Sequence, residues 1–279
     1  MSQIPILKSN GETVEFSTEK LEHSLLRAGA NESMVANIIK NIVEELPQLG
    51  STAKIYKEAY RELKRYSRPI AAKYKLKRAI MQLGPSGFPF ERYIGEILSF
   101  QGYNIQMNPM MPGKCVRHEI DVLAENDKEV IMVECKYRNR QGYKTDVKVP
   151  LYVHSRFRDV RHEWLKREDW KNKEHKAWIA TNTRFTEDAI KYAKCEGMRL
   201  LAWDYPQIGN LRERIDLSGL YPLTCLTTLT KQEKTHLLQK SEIVLCRQVY
   251  TDPETLDTLN LPTYRKNSVL SEVEELLAL

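Results

Sequence analysis

The stretch from Arg117 to Lys136, RHEIDVLAENDKEVIMVECK, constrains this chain more than any other. Two apolar runs, Ile120 to Ala124 and Val130 to Cys135, flank the polar segment Glu125 to Lys128, a strand, turn, strand pattern. Residues two apart on a strand share a face, so Glu134 and Lys136 point one way while Val133 and Cys135 pack on the other. A carboxylate set among Val130, Ile131, Met132 and Val133 is costly unless it is paired or binds a cation. Asp121 on the neighbouring strand supplies a second carboxylate, enough for an oxygen site holding Mg2+ or Mn2+. A strand end that reaches solvent can equally carry Glu-x-Lys as a surface ion pair.

A length of 279 residues suggests two or three domains, and the hydrophobic content is enough for ordinary cores. No apolar run approaches a membrane span, and residues 1 to 11 lack the apolar core of a signal peptide, so a cytoplasmic protein with no membrane partner is expected. Five cysteines, at 115, 135, 195, 225 and 246, are scattered and form no C-x-x-C pair, which points to reduced thiols rather than disulfides or zinc. The net charge of +6 is unevenly spread: Lys and Arg outnumber Asp and Glu by 14 to 9 in residues 1 to 85 and by 21 to 18 in 86 to 205, but trail by 8 to 10 in 206 to 279. Directly after the Glu-x-Lys strand come Arg138, Arg140, Arg156, Arg158 and Arg161, with Tyr143, Tyr152 and Phe157 among them. A basic tract with aromatics beside a metal site suits a nucleic-acid backbone; alternatively it is a solvated charged face.

The order acid, strand, Glu-x-Lys resembles the PD-(D/E)xK nuclease superfamily, with Asp121 as first acid and Glu134-Cys135-Lys136 as the E-x-K, and within it the Mrr-type restriction endonucleases. The amphipathic segment from Phe90 to Leu98 would be the first helix of that domain. The resemblance implies that Glu91 on this helix approaches the metal; a first-turn acid favoured by the helix dipole is the other reading. Residues 103 to 107 form the next expected strand. Further on, Trp178 to Thr181, a helix capped by Thr186 and ended by Gly197, and Arg199 to Trp203 predict a β-α-β crossover and hence a mixed sheet. The run from Ala180 to Ala189 resembles the last Mrr block, so the likeness spans about 88 to 205. His118 and His154 lie near the site in sequence, though lone histidines are usually structural.

At the amino end, Ile4 to Lys8 and Glu12 to Phe16 flank an Asn10-Gly11 turn, a hairpin signal. Helices should follow from Ser17 or Thr18 to Gly29, from Glu32 to Pro47, after a capping Thr52 with Ile55, Ala59 and Leu63 on one face, and from Pro69 to before Gly84. This hairpin and four helices, with Lys8, Gly11, Phe16, Lys20 and Leu21 in K-x-x-G-x-x-x-x-F-x-x-x-K-L, resembles the ATP-cone, a nucleotide-binding regulatory domain. The resemblance implies that Lys8 and Lys20 meet the phosphates of ATP or dATP beside Gly11, with Thr52 and Tyr56 near the nucleoside. Gly84-Pro85-Ser86-Gly87 lacks the Lys-Ser/Thr of a Walker A loop, so it reads as a domain junction and no P-loop hydrolysis is expected.

The expected fold is therefore α/β and multidomain: an ATP-cone over residues 1 to 85, a mixed-sheet restriction-endonuclease-like domain over 86 to 205, and a helical region over 206 to 279 whose default role is packing or homo-oligomerisation. The expected function is a Mg2+-dependent DNA endonuclease regulated by nucleotide. A non-cleaving, nucleotide-sensing DNA-binding protein of the same fold is the alternative. Asp121 and Glu134 would hold the metal, and Lys136 would orient the attacking water.

Overall fold

The computed structural model describes residues 4–8, 11–140 and 142–278. Strands β1 (Pro5–Leu7) and β2 (Thr13–Glu15) form an antiparallel hairpin. Ser9 and Asn10 of its expected turn lie outside the described residues. Helix α1 (Thr18–Arg27) starts where Ser17 Oγ accepts the Lys20 amide, and α2 (Glu32–Leu49) where Asn31 does the same for Met34. The second helix outruns its expected end at Pro47 and stops at Gly50, whose left-handed backbone suits a glycine.

Two starts differ from expectation by a residue or two. Helix α3 (Thr52–Tyr66) is capped by Ser51 rather than Thr52, and α4 (Arg68–Tyr74) by Ser67. The extended Ser67 offers its hydroxyl to the Ile70 amide, while Pro69 sits in the first turn, where no amide hydrogen is needed. The single fourth helix expected from Pro69 to Gly84 is in fact two, α4 and α5 (Leu76–Ile80).

Helix α6 (Phe88–Phe100) leads into β3 (Asn104–Met107), a small hairpin of β4 (Met110–Pro112) and β5 (Arg117–Glu119), and then β6 (Val122–Glu125) and β7 (Glu129–Lys136). After the short β8 (Lys144–Thr145) come α7 (Lys148–Trp164), β9 (Glu174–Thr181), β10 (Arg184–Phe185), α8 (Glu187–Cys195) and β11 (Arg199–Leu201). The main sheet has the order β11-β9-β7-β6-β3. β11, β9 and β7 run parallel, whereas β7, β6 and β3 are antiparallel, which is the mixed sheet expected. Helices α7 and α8 make the two crossovers between parallel strands.

Alternation along β7 explains the layers. Val130 and Met132 join a core with Val153, Val160 and Trp164 of α7 and Ala189 of α8. The opposite face of the sheet receives α6, where a Cβ on Gly95 would already touch Met107 Sδ at 3.0 Å, so glycine permits the close approach.

The rest of the chain is helical: α9 (Leu211–Ser218), α10 (Lys231–Lys240), α11 (Cys246–Thr251), a 3-10 turn over Pro253–Leu259, and α12 (Thr263–Leu277). Val269, Val273 and Leu276 are the buried hydrophobic residues of α12. Two compact units result, Met1–Leu76 with Cys225–Lys234 and Val249–Leu279, and Lys77–Thr224 with Thr235–Gln248. The first has its own core of Leu25, Ile38, Ile42, Ala59 and Leu63, with α12 packed on α4. Among the described residues no helix is long and apolar enough to cross a membrane.

Candidate active site

The hairpin of β6 and β7 brings the three central residues together. Asp121 precedes β6 by one residue, and its Oδ2 accepts the Cys135 amide at 2.7 Å across the hairpin. Glu134 and Lys136 share a face of β7, as alternation requires, and Lys136 Nζ lies 2.5 Å from Glu134 Oε1. That face is the one α7 covers, so a residue of α7 meets Glu134: Arg156 donates through one nitrogen to Glu134 Oε2 and through the other to the Glu119 carbonyl. The Tyr152 ring, one turn earlier, lies 5.3 Å from the guanidinium. Glu134 has only 5% of its side chain exposed, and its two oxygens are shared between Lys136 and Arg156.

Glu91 comes to the site from the first turn of α6, where Asn108 Nδ2 donates to it at 3.2 Å. Burial raises the Glu91 pKa, the Asn108 hydrogen bond opposes that, and the charges of Glu134 and Glu119 add to the rise. Asp121 is pushed further, to about 7, by burial first and then by the negative charge of Glu134, with a smaller push from Glu91; the Cys135 amide pulls the other way. The Cys135 thiol, buried beneath these acids, is held well above its ordinary value.

The charge of Glu134 adds to the rise of both Asp121 and Glu91, and hard carboxylate oxygens crowded in this way suit a divalent cation. Among the described residues no three His, Cys, Asp or Glu side chains group as a closed cage. Mg2+ does not need one, since it commonly takes one or two carboxylates and fills its shell with water and phosphate oxygens. Asp121 and Glu134 are the pair expected to hold it, and both Glu134 oxygens already meet Lys136 and Arg156.

The basic tract does not form one surface. Arg156 is turned inward on Glu134, because its position on α7 faces the sheet, and Phe157 packs against the core rather than standing among exposed aromatics. Arg158 and Arg161 are exposed on α7, and Arg140 is exposed in the loop after β7. Arg138 is half-buried, with Asn182 accepting its amide at 2.8 Å and donating to its carbonyl at 2.9 Å. His118 Nε2 lies 2.8 Å from Asp159 Oδ2, which also accepts the Val116 amide; Asp159 Oδ1 accepts that of Cys115. That pins the β4–β5 hairpin to α7, so His118 is structural. His154 is likewise engaged, with Nδ1 2.8 Å from the Tyr192 hydroxyl.

In the first unit, Leu7 draws the hairpin onto the start of α3: its amide bonds Gly50 and its carbonyl lies 3.5 Å from the Thr52 hydroxyl. Lys8, next along, pairs with Glu12 at 3.0 Å, and Gly11 has a positive φ. Lys20 is exposed in the first turn of α1, while Tyr56 stacks on Tyr74 with centroids 4.9 Å apart.

A restriction endonuclease family model matches residues 84–211, and an AF1548-like C-terminal model matches residues 221–277. An uncharacterized protein of Archaeoglobus fulgidus is 34% identical over 185 residues, covering 66% of this chain and 99% of that protein. The chain belongs to the AF1548-like family. The crystal structure of AF1548, a protein of unknown function, matches this AF1548-like chain with a TM-score of 0.56 and 31% identity, over 69% of the chain and 99% of its own. The AF1548-like chain thus carries a restriction-endonuclease-like domain, of nuclease type, and the Asp121, Glu134 and Lys136 constellation lies inside it.

Glu119 and Asn108 were missed in the sequence, and Arg156 was read there as a contact to the nucleic-acid backbone rather than as the partner of Glu134. Val149, Val153, Phe157, Val160 and Trp164 recur at helical spacing and could have revealed α7, and with it the inward face that carries Arg156.

Proposed function

We propose that the AF1548-like chain is a divalent-metal-dependent DNA endonuclease whose first unit binds nucleotide. The observation that carries the first half is the convergence of Asp121, Glu134 and Lys136 on one hairpin, with Glu91 alongside. Asp121 and Glu134 would hold Mg2+ or Mn2+, which when bound polarises the scissile phosphate and lowers the pKa of a water. Lys136, fixed by Glu134, orients that water and offsets the negative charge that develops on the phosphate. Arg158 and Arg161, exposed on α7, offer contacts to the backbone.

The test is incubation of the purified protein with linear, circular, branched and single-stranded DNA in Mg2+, Mn2+ or EDTA. Cleavage is expected with metal alone, and Asp121→Ala and Glu134→Ala should each lower it by at least about a hundredfold, since several kcal/mol of charge stabilisation leave with the ion. Cleavage persisting in Glu134→Ala would sink the assignment.

One observation favours a second reading, a DNA-binding protein that does not cleave. Both Glu134 oxygens are engaged by cations of the protein itself, Lys136 and Arg156. Metal-dependent nicking separates the two readings.

Support for nucleotide binding comes from the resemblance of the hairpin and its helices to an ATP-cone and from the proximity of Lys8, Gly11 and Thr52 along it. ATP or dATP should bind without being hydrolysed, and Lys8→Ala and Lys20→Ala should weaken binding in calorimetry. No heat of binding to wild type at millimolar nucleotide would defeat this part alone.

A further inference from the structure

We propose that the first unit carries a second DNA-binding surface, a seat for the duplex phosphate backbone made by the exposed face of α3 and a pocket at its carboxyl end. Helix α3 has two faces. Ile55, Ala59 and Leu63 are buried, while Lys54, Lys57, Arg61 and Lys64, three, four and three residues apart, are exposed on the other side. Ten helical rises, from Lys54 to Lys64, carry this row over about 15 Å.

Of this row the acids of α3 neutralise only Arg61. Glu58 and Glu62 are buried, and each holds a single arginine, Arg61 and Arg65. Among the described residues, Lys54, Lys57, Lys64 and Arg68 have no acidic partner. Like charges three and four apart cost a helix a few tenths of a kcal/mol each, so the row has no rationale in the stability of α3. A groove of about 640 Å³ runs along this face.

At the end of the row Lys64 enters a second pocket, of about 370 Å³, with Arg68, Tyr264, Ser268 and the turn at Thr227 and Thr228. Arg68 donates to Ser268 Oγ at 3.4 Å, and Tyr264 is 74% exposed, an open aromatic face beside the cations. Thr227 Oγ1 is buried with no hydrogen-bond partner among the described residues, which calls for a ligand or water.

Length and donor geometry favour a nucleic-acid backbone over a single nucleotide. The amides of Thr227 and Thr228 are turned onto the buried Glu272, at 2.7 and 2.8 Å, so the pocket lacks the backbone amide cradle that suits a triphosphate. A cationic row of about 15 Å outreaches the phosphate chain of one nucleotide but matches duplex DNA, which carries a charge every ~1.7 Å of axis. The proposal rests on the nuclease reading only in taking DNA as the polyanion.

The test is DNA affinity of the full chain against salt concentration, in EDTA so that no cleavage intervenes. The double variant Lys57→Gln, Lys64→Gln should lower the log-log salt slope by about 1.8, and Arg68→Gln by about 0.9, following roughly 0.9 per phosphate contact. Lys57→Arg with Lys64→Arg should keep the wild-type slope, which guards against a folding defect. An unchanged slope in the Gln variants overturns the proposal. So does calorimetry in which Arg68→Gln abolishes ATP binding while the DNA slope stays as in wild type, an outcome that would make the pocket a nucleotide site. Absence of cleavage in every metal would sink the nuclease reading and leave these slopes standing.

Discussion

Asp159 accepts from His118, Cys115 and Val116 at once, and the His118 hydrogen bond above all holds its carboxyl down at about 2. A pKa lowered by folding contributes stability that is present above the unfolded value near 4 and is lost as pH falls through about 2. Urea midpoints measured from pH 5 down to pH 2 should therefore fall more steeply for wild type than for Asp159→Asn. Gly113 lies against the same carboxylate, and a Cβ there would overlap it and come within 2.6 Å of the Val116 carbonyl. Gly113→Ala should cost about 1 to 3 kcal/mol of stability by denaturant titration. None of this was legible, because Asp159 lies 41 residues from His118 and nothing in either's neighbourhood announces the other. Asp121, Glu134 and Lys136 were legible for the opposite reason: they sit at one end of a hairpin of adjacent antiparallel strands, where alternation and a short turn fix who faces whom.

At the level of elements, α7 carries most of what the sequence concealed. Its inner side packs Val153, Val160 and Trp164 on the sheet, and Trp164 meets Trp170, His175 and Phe157 edge-on, with centroids 5.2 to 6.2 Å away. Trp164→Ala should cost about 3 to 5 kcal/mol in unfolding free energy. In the proposed nuclease it should also lower cleavage, because Arg156 is held at Glu134 only while α7 keeps its seat. The basic residues of 138 to 161 drew attention to charge and away from the apolar spacing beneath it, so a crossover helix was read as a tract. The β9-α8-β11 crossover was legible because Thr186 and Gly197 mark both helix ends, whereas α7 starts at Val147 with no side-chain cap.

At the scale of the whole molecule, the three contiguous segments expected from the motifs and the junction at Gly84 to Gly87 and the two compact units are cut differently, since 225–234 and 249–279 belong with the first 76 residues. Hydropathy along a chain reports which residues are buried but not which distant partner buries them. Glu272 of α12, 1% exposed, accepts the Thr227 and Thr228 amides and the Thr228 hydroxyl within this unit. Glu272→Ala should leave those amides unpaired and lower the unfolding free energy of the first unit by about 1 to 3 kcal/mol, read by calorimetry. The same arrangement sets an order of assembly. Residues 77 to 224, with all five strands of the main sheet, leave the ribosome before α12 is made, while the unit begun by the first 76 residues is still missing α12, which packs on α4. A unit begun before the sheet is thus completed only after it, and its first 76 residues must persist through translation of the entire sheet with the α4 surface that α12 covers left bare.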